Sequence, residues 1–95
     1  MKPRITINTN RDGELKILIN PAGRDLLVRQ LQNLTEESDH FHFGPENLDW
    51  EVPVQSTAYC EGDQIIEFGK VMFRPDVWDA EHFPHVLPAA DVNDS

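Results

Sequence analysis

Hydrophobic positions alternate with polar ones over the first twenty residues, then switch to a spacing of three and four. Ile5 and Ile7 share one side of a short extended segment. The polar run Asn8-Thr9-Asn10-Arg11-Asp12-Gly13 has the character of a connection to a second strand, so the simplest reading is a hairpin. In that second strand Leu15, Ile17 and Ile19 alternate with Lys16, Leu18 and Asn20; the first set is expected to face a core, with Leu18 partly covered. Asn20 can cap a helix, Pro21 fits its first turn, and Leu27, Leu31 and Leu34 form an apolar stripe widened by Leu26. The spacing predicts a helix over about residues 21–34, which Gly23 weakens only slightly because it lies near the start.

Thr35 to Asp39 reads as a polar turn before His40-Phe41-His42-Phe43, a strand with Phe41 and Phe43 on one side and both histidines on the other. Gly44-Pro45 ends that regularity, and residues 46–61 are expected to be loop or edge strand. Residues 63–74 form the last strand-like segment. There Ile66, Phe68 and Met72 are expected on one face and Val71 and Phe73 on the other, with Glu67 and Gly69 marking an edge or bulge. Pro75, Pro84 and Pro88, followed by Ala89 to Ser95, suggest an irregular tail. The order β-β-α-β-β, with one amphipathic helix packed on a mostly antiparallel sheet, predicts a two-layer α+β domain over residues 1–75 and an acidic, proline-containing extension over 76–95. The sheet face away from the helix must meet solvent, a second copy or another protein.

Composition narrows the classes. The 95 residues are 39% hydrophobic and 26% charged, which fits one domain with a modest core and excludes both a multidomain enzyme and a disordered chain. Seventeen acids against eight bases give a net charge of −9, which disfavours direct nucleic-acid binding and suits a basic partner. The charge is unevenly placed. Residues 1–34 carry six bases and three acids, a net of +3, whereas residues 35–69 hold nine acids and no Lys or Arg. The lone Cys60 cannot form an internal disulfide, and neither a basic-then-apolar leader nor a run of about 18 apolar residues is visible; the expectation is a cytoplasmic protein without membrane association.

Asp39-His40-Phe41-His42 is the local pattern nearest to chemistry. Two imidazoles at i and i+2 on a strand, beside a carboxylate, are suitable zinc ligands, so a small metal-binding regulatory or structural domain using His40 and His42 is one reading. His82 and His85 could add nitrogens, but there is no HExxH or CxxC signature. Glu36, Glu37 and Asp39 beside the histidines lack any sign of a positioned substrate, Cys60 lacks an activating setting, and the dispersed glycines form no phosphate loop. No catalytic residue and no cofactor are therefore expected. Trp50 and Trp78 are candidate interface anchors.

Gly23-Arg24-Asp25-Leu26-Leu27, then Leu31 and Leu34, then Asp39-His40-Phe41-His42-Phe43, and finally Ile66 to Arg74 with Pro75, together resemble a small bacterial immunity-protein family of polymorphic toxin systems over about residues 4–75. The family commonly follows its histidine segment with Trp-Gly-Gly, where this chain has Gly44-Pro45 and a later Trp50. The resemblance implies a noncatalytic domain that binds and neutralises a cognate protein toxin. On that reading the expected partner-binding residues are Glu36, Glu37, Asp39, His40, His42, Glu46, Asp49, Trp50 and Glu51, with Phe43 a further candidate anchor. A homodimer is a second expected assembly.

Overall fold

Pairing of β1 (Ile5–Thr9) with β2 (Leu15–Ile19) builds the hairpin that the alternation predicts, in a computed structural model that describes residues 1–88. Gly13 turns the chain at φ +82°, a conformation that side chains with a Cβ rarely adopt, and Asn10 Oδ1 accepts from the Asp12 and Glu14 amides to hold the turn. Asn20 caps α1 (Pro21–Gln32) by accepting from the Gly23 amide, with Pro21 in the first turn, as expected. The helix stops at Asn33, slightly before the predicted end. Gly23 is required there for packing, since a Cβ would press on the Arg4 carbonyl and the Ile5 side chain. That close approach lays α1 on the face of β1 that carries Ile5 and Ile7.

The chain after α1 departs from a simple hairpin order. β3 (His40–Pro45) is the central strand of a second sheet, β4-β3-β6, while the first is β2-β1-β5. β4 (Val52–Val54) runs parallel to β3, with Phe43 opposite Val52, and every other pairing is antiparallel. Turn bonds from the Leu48 amide to the Pro45 carbonyl and from the Trp50 amide to the Leu48 carbonyl fold the short connection back on itself. The two sheets are joined where the Gln55 amide, just past β4, donates to the Ile5 carbonyl at 2.8 Å. The stretch expected to be a single strand over 63–74 divides into β5 (Gln64–Ile65) on the first sheet and β6 (Gly69–Met72) on the second. The break resets the side-chain alternation. Ile66 therefore packs against the core with Val71, while Phe68, Met72 and Phe73 are exposed.

The core consists of Ile5, Ile7, Phe41, Val52 and Val54, with Leu26, Leu27, Leu34 and Phe43 packed against it. Gly69 lies directly opposite Phe43, and a Cβ there would fall inside the space the Phe43 ring occupies. The Phe41/Phe43 side is thus the helix side, as the alternation predicts. The expectation for β2 is corrected: Leu15, Ile17 and Ile19 share the face of Ile5 and Ile7 by register, yet all three are exposed. β2 is an edge strand, and Leu26 and Leu27 of α1, with Leu34 just after it, pack on the cluster of Ile5, Ile7, Phe41, Val52 and Val54 and leave the β2 side chains open. The opposite face of β1 is buried too, because the 55–63 segment closes over Thr6 and Asn8.

The segment after Pro75 is not wholly irregular. α2 (Asp76–His82) starts at Pro75 with Asp76 and Asp79 in its first turn, where carboxylates favour the positive helix end, and a single 3-10 turn follows at Pro84–Val86. The reading of Ala89 to Ser95 as an irregular tail lies outside the described residues. The fold is α+β, with helices beside a mostly antiparallel sheet. No helix among the described residues is long and apolar enough to cross a membrane.

Candidate functional site

Strand alternation puts His40 and His42 on the side of the second sheet away from α1, and register adds Met72 opposite His40 and Lys70 opposite His42. The parallel β4 brings the preceding residues Trp50 and Glu51 to the same side. The result is a row of rings: His40 to His42 at 5.0 Å between centroids, His42 to Trp50 at 5.8 Å, and Trp50 to Phe68 at 6.1 Å. Trp50 lies flat over Gly44, whose missing Cβ is what allows the indole to approach. Its Nε1 is buried and has no hydrogen-bond partner among the described residues. A shallow groove of about 320 Å³ runs between His42, Phe43, Trp50, Phe68 and Lys70.

Carboxylates hold this row at its edges. Asp39 Oδ1 lies 2.8 Å from His40 Nδ1, and Asp39 Oδ2 accepts from Arg74 Nη1 at 2.9 Å. Glu51 Oε1 lies 3.6 Å from His42 Nδ1. The hydrogen bond to His40, then that to Arg74, keeps the Asp39 carboxyl below its ordinary value of 3.8 against an opposing desolvation. The Glu51 carboxyl is also lowered, first by a bond from its own backbone amide and further by His42. Beyond Asp39, the Arg74 guanidinium lies 4.5 Å from the centre of the Trp78 ring, and Glu36, Glu37, Asp39, Trp78 and Glu81 line an adjoining groove of about 430 Å³.

Asp39 gives a pH prediction with a definite sign. A carboxyl lowered in the folded state adds stability that is present above its unfolded pKa and is lost as pH falls through the folded one. Thermal unfolding of Asp39→Asn should lie below wild type at neutral pH, and the gap should close as the pH is taken below about 3.8. A gap unchanged across that range would mean that the His40 and Arg74 contacts do not act on the carboxylate.

Of the nine expected partner-binding residues, Asp39, His40, His42, Trp50 and Glu51 come together on this face. Glu36 and Glu37 flank it along the second groove. Glu46 points elsewhere, with Oε2 3.7 Å from Lys2 Nζ, and Asp49 is exposed in the turn before Trp50. Phe68, Lys70, Met72 and Arg74 also belong to the face and were not singled out, because their side depends on where the 63–74 stretch breaks. The metal reading loses support: the His40 and His42 rings are perpendicular with each Nδ1 turned to a carboxylate, and no group of three or more ligating side chains converges among the described residues. His82 and His85 lie against Trp78 and Phe83 instead. Compared with protein-family models, curated proteins and solved structures, the chain matches none.

Proposed function

We propose that the chain is a noncatalytic protein-interaction domain, and specifically an immunity protein that neutralises a cognate toxin in the cytoplasm by covering a basic surface on it. The observation that carries this reading is the row of His40, His42, Trp50 and Phe68 on the outer side of the second sheet, with acidic groups at its edge. Aromatic rings offer large, stiff contact area, and a few such anchors dominate the energy of protein interfaces. The acids supply the other half of the mechanism. Residues 35–69 hold nine carboxylates and no Lys or Arg, so their field attracts a positively charged partner and speeds encounter, while the rings supply the close packing that slows release. A nuclease with a basic substrate cleft has that complementary charge, and a domain seated in the cleft would exclude the nucleic acid without any chemistry of its own.

The test is pairwise binding to products of neighbouring genes, beginning with a secreted or toxin-like protein, at two salt concentrations. Tight stoichiometric binding whose association slows with salt is expected. Phe68→Ala, at a side chain 60% exposed and outside the core, should weaken binding by about tenfold or more with the unfolding temperature nearly unchanged. Combined neutralisation of Glu36, Glu37, Asp49 and Glu51 should slow association. Binding indifferent to salt, to Phe68→Ala and to loss of these acids would rule out this face.

A further inference from the structure

The outer edge of β2 is an unused ladder with an apolar face. Leu15 and Ile17 are each 55% exposed and Ile19 is 44% exposed, although they share a sheet face with the buried Ile5 and Ile7. Among the described residues β2 pairs only with β1. The Asn20 amide donates to the Arg4 carbonyl and the Asn10 amide to the Glu14 carbonyl, so 4/20 and 10/14 are bonded pairs of the antiparallel ladder. By alternation the even residues of β2 spend their backbone groups on β1. The amides and carbonyls of Leu15, Ile17 and Ile19 therefore point outward. Natural edge strands are usually blunted by proline, bulges or charged side chains; Leu15–Ile19 has no proline and an unbroken register, and its one charge, Lys16, lies on the face away from the exposed apolar row.

We infer that β2 pairs antiparallel with β2 of a second copy, about a two-fold axis at Ile17, joining the two β2-β1-β5 sheets into one. Several features favour a second copy over an unrelated strand. Centring the pair on Ile17 sets Leu15 against Ile19, Ile17 against Ile17 and Ile19 against Leu15, and each of these pairs exchanges both ladder bonds through the outward groups. On the other face Lys16 lies against Leu18, where its stem covers apolar surface and no like charges meet. The same register carries the β1–β2 turn, with Asp12 and Glu14, toward the start of α1 in the second copy, where the helix has no acidic residue in its first turn and Arg24 lies nearby. Of the acid-rich 35–69 stretch, which would repel a like copy, the ring-bearing part lies on the other sheet, and β5, with Asp63 beside it, lies across β1 from the β2 edge. Val28 and Leu31 on α1 are exposed as well, and α1 lies over the same face of the first sheet, where apolar area can add to a strand that alone is smaller than the roughly 800 Å² per partner of a standard interface.

The experiment is sedimentation of the full chain from low micromolar to near-millimolar concentration, paired with residue-resolved amide exchange at the two extremes. The mass should rise toward twice that of the chain, and the outward amides of Leu15, Ile17 and Ile19 should exchange at least about tenfold more slowly in the concentrated sample. Ile17→Lys places two ammonium groups against each other at the axis and should abolish the rise, while circular dichroism verifies that the variant is folded. A chain that stays monomeric throughout overturns the inference. So does a dimer in which the Ile17 amide exchanges as fast as in the monomer, since its contact lies elsewhere. Because the exchange readout uses the unaltered protein, a poorly folded variant leaves the test intact. Toxin binding through the histidine face is a separate measurement, so either reading can fail alone.

Discussion

Replacement of Phe41 by alanine is expected to cost about 3–5 kcal/mol of folding stability, the range for removing a large buried ring. Phe41 is 2% exposed, sits in β3 at the centre of the second sheet, and belongs to the same cluster as Ile5, Ile7, Val52 and Val54. It therefore ties together elements that are far apart in sequence. The core contains few fully buried side chains, and small domains are stable by only about 5–15 kcal/mol, so this loss removes a large share of the total. For a domain of this size each kcal/mol moves the unfolding temperature by roughly 4–8 °C, which makes the effect easy to read in a thermal scan. The control lies beside the same sheet, just before β6: Phe68→Ala removes an equal ring from an exposed position and should cost less than about 1 kcal/mol. Denaturant unfolding of both variants gives the comparison directly. Equal losses would mean that the two faces of the second sheet are not inside and outside as described.

The alternation of His40, Phe41, His42 and Phe43 is enough to place phenylalanines inward and histidines outward, since period two leaves no other arrangement once one face is buried. The start of α1 was legible for an equally local reason, because Asn20 and Pro21 carry cap and first-turn preferences in their own chemistry. What the sequence concealed was nonlocal. Val52-Pro53-Val54 falls in the stretch expected to be loop or edge strand and is an edge strand with a proline at its middle, yet nothing local marks it as the source of two of the most buried side chains through a parallel pairing to β3 across a short return. Parallel neighbours ordinarily need a long crossover, so no local signal announces this one. That pairing also decides the candidate site, for it is what carries Trp50 and Glu51 to His42. In β2 the pattern gave the correct face and the wrong burial, because periodicity reports which side chains share a side and is silent on how far a helix reaches across it.

The face of β1 away from α1 should fail through a different mechanism, the loss of a buried amide. Asn8 is 0% exposed; its Oδ1 accepts from the Tyr59 amide at 3.0 Å and its Nδ2 donates to Asp63 Oδ2 at 3.2 Å, so one side chain fastens the 55–63 segment to the sheet at two points. Asn8→Ala removes both bonds and leaves a part-buried amide and a carboxylate without these partners, a loss of about 2–3 kcal/mol by denaturant unfolding. Asn8→Asp separates this account from a simple packing defect. The new carboxylate keeps the shape and the acceptor for Tyr59, but stands where an amide donated to Asp63, and two carboxylates at that distance cannot both ionise cheaply. One of the pair should therefore hold its proton to higher pH in the folded state than in the unfolded chain. A raised pKa contributes stability below the unfolded value and loses it as pH rises, so the deficit of Asn8→Asp relative to wild type should be largest near neutrality and shrink toward pH 4. If Asn8→Ala is harmless, or the Asn8→Asp deficit does not change with pH, the amide is not what holds the segment. The ring row on the second sheet lies apart from this fastening, so Asn8→Ala should leave the proposed partner binding intact wherever the variant remains folded.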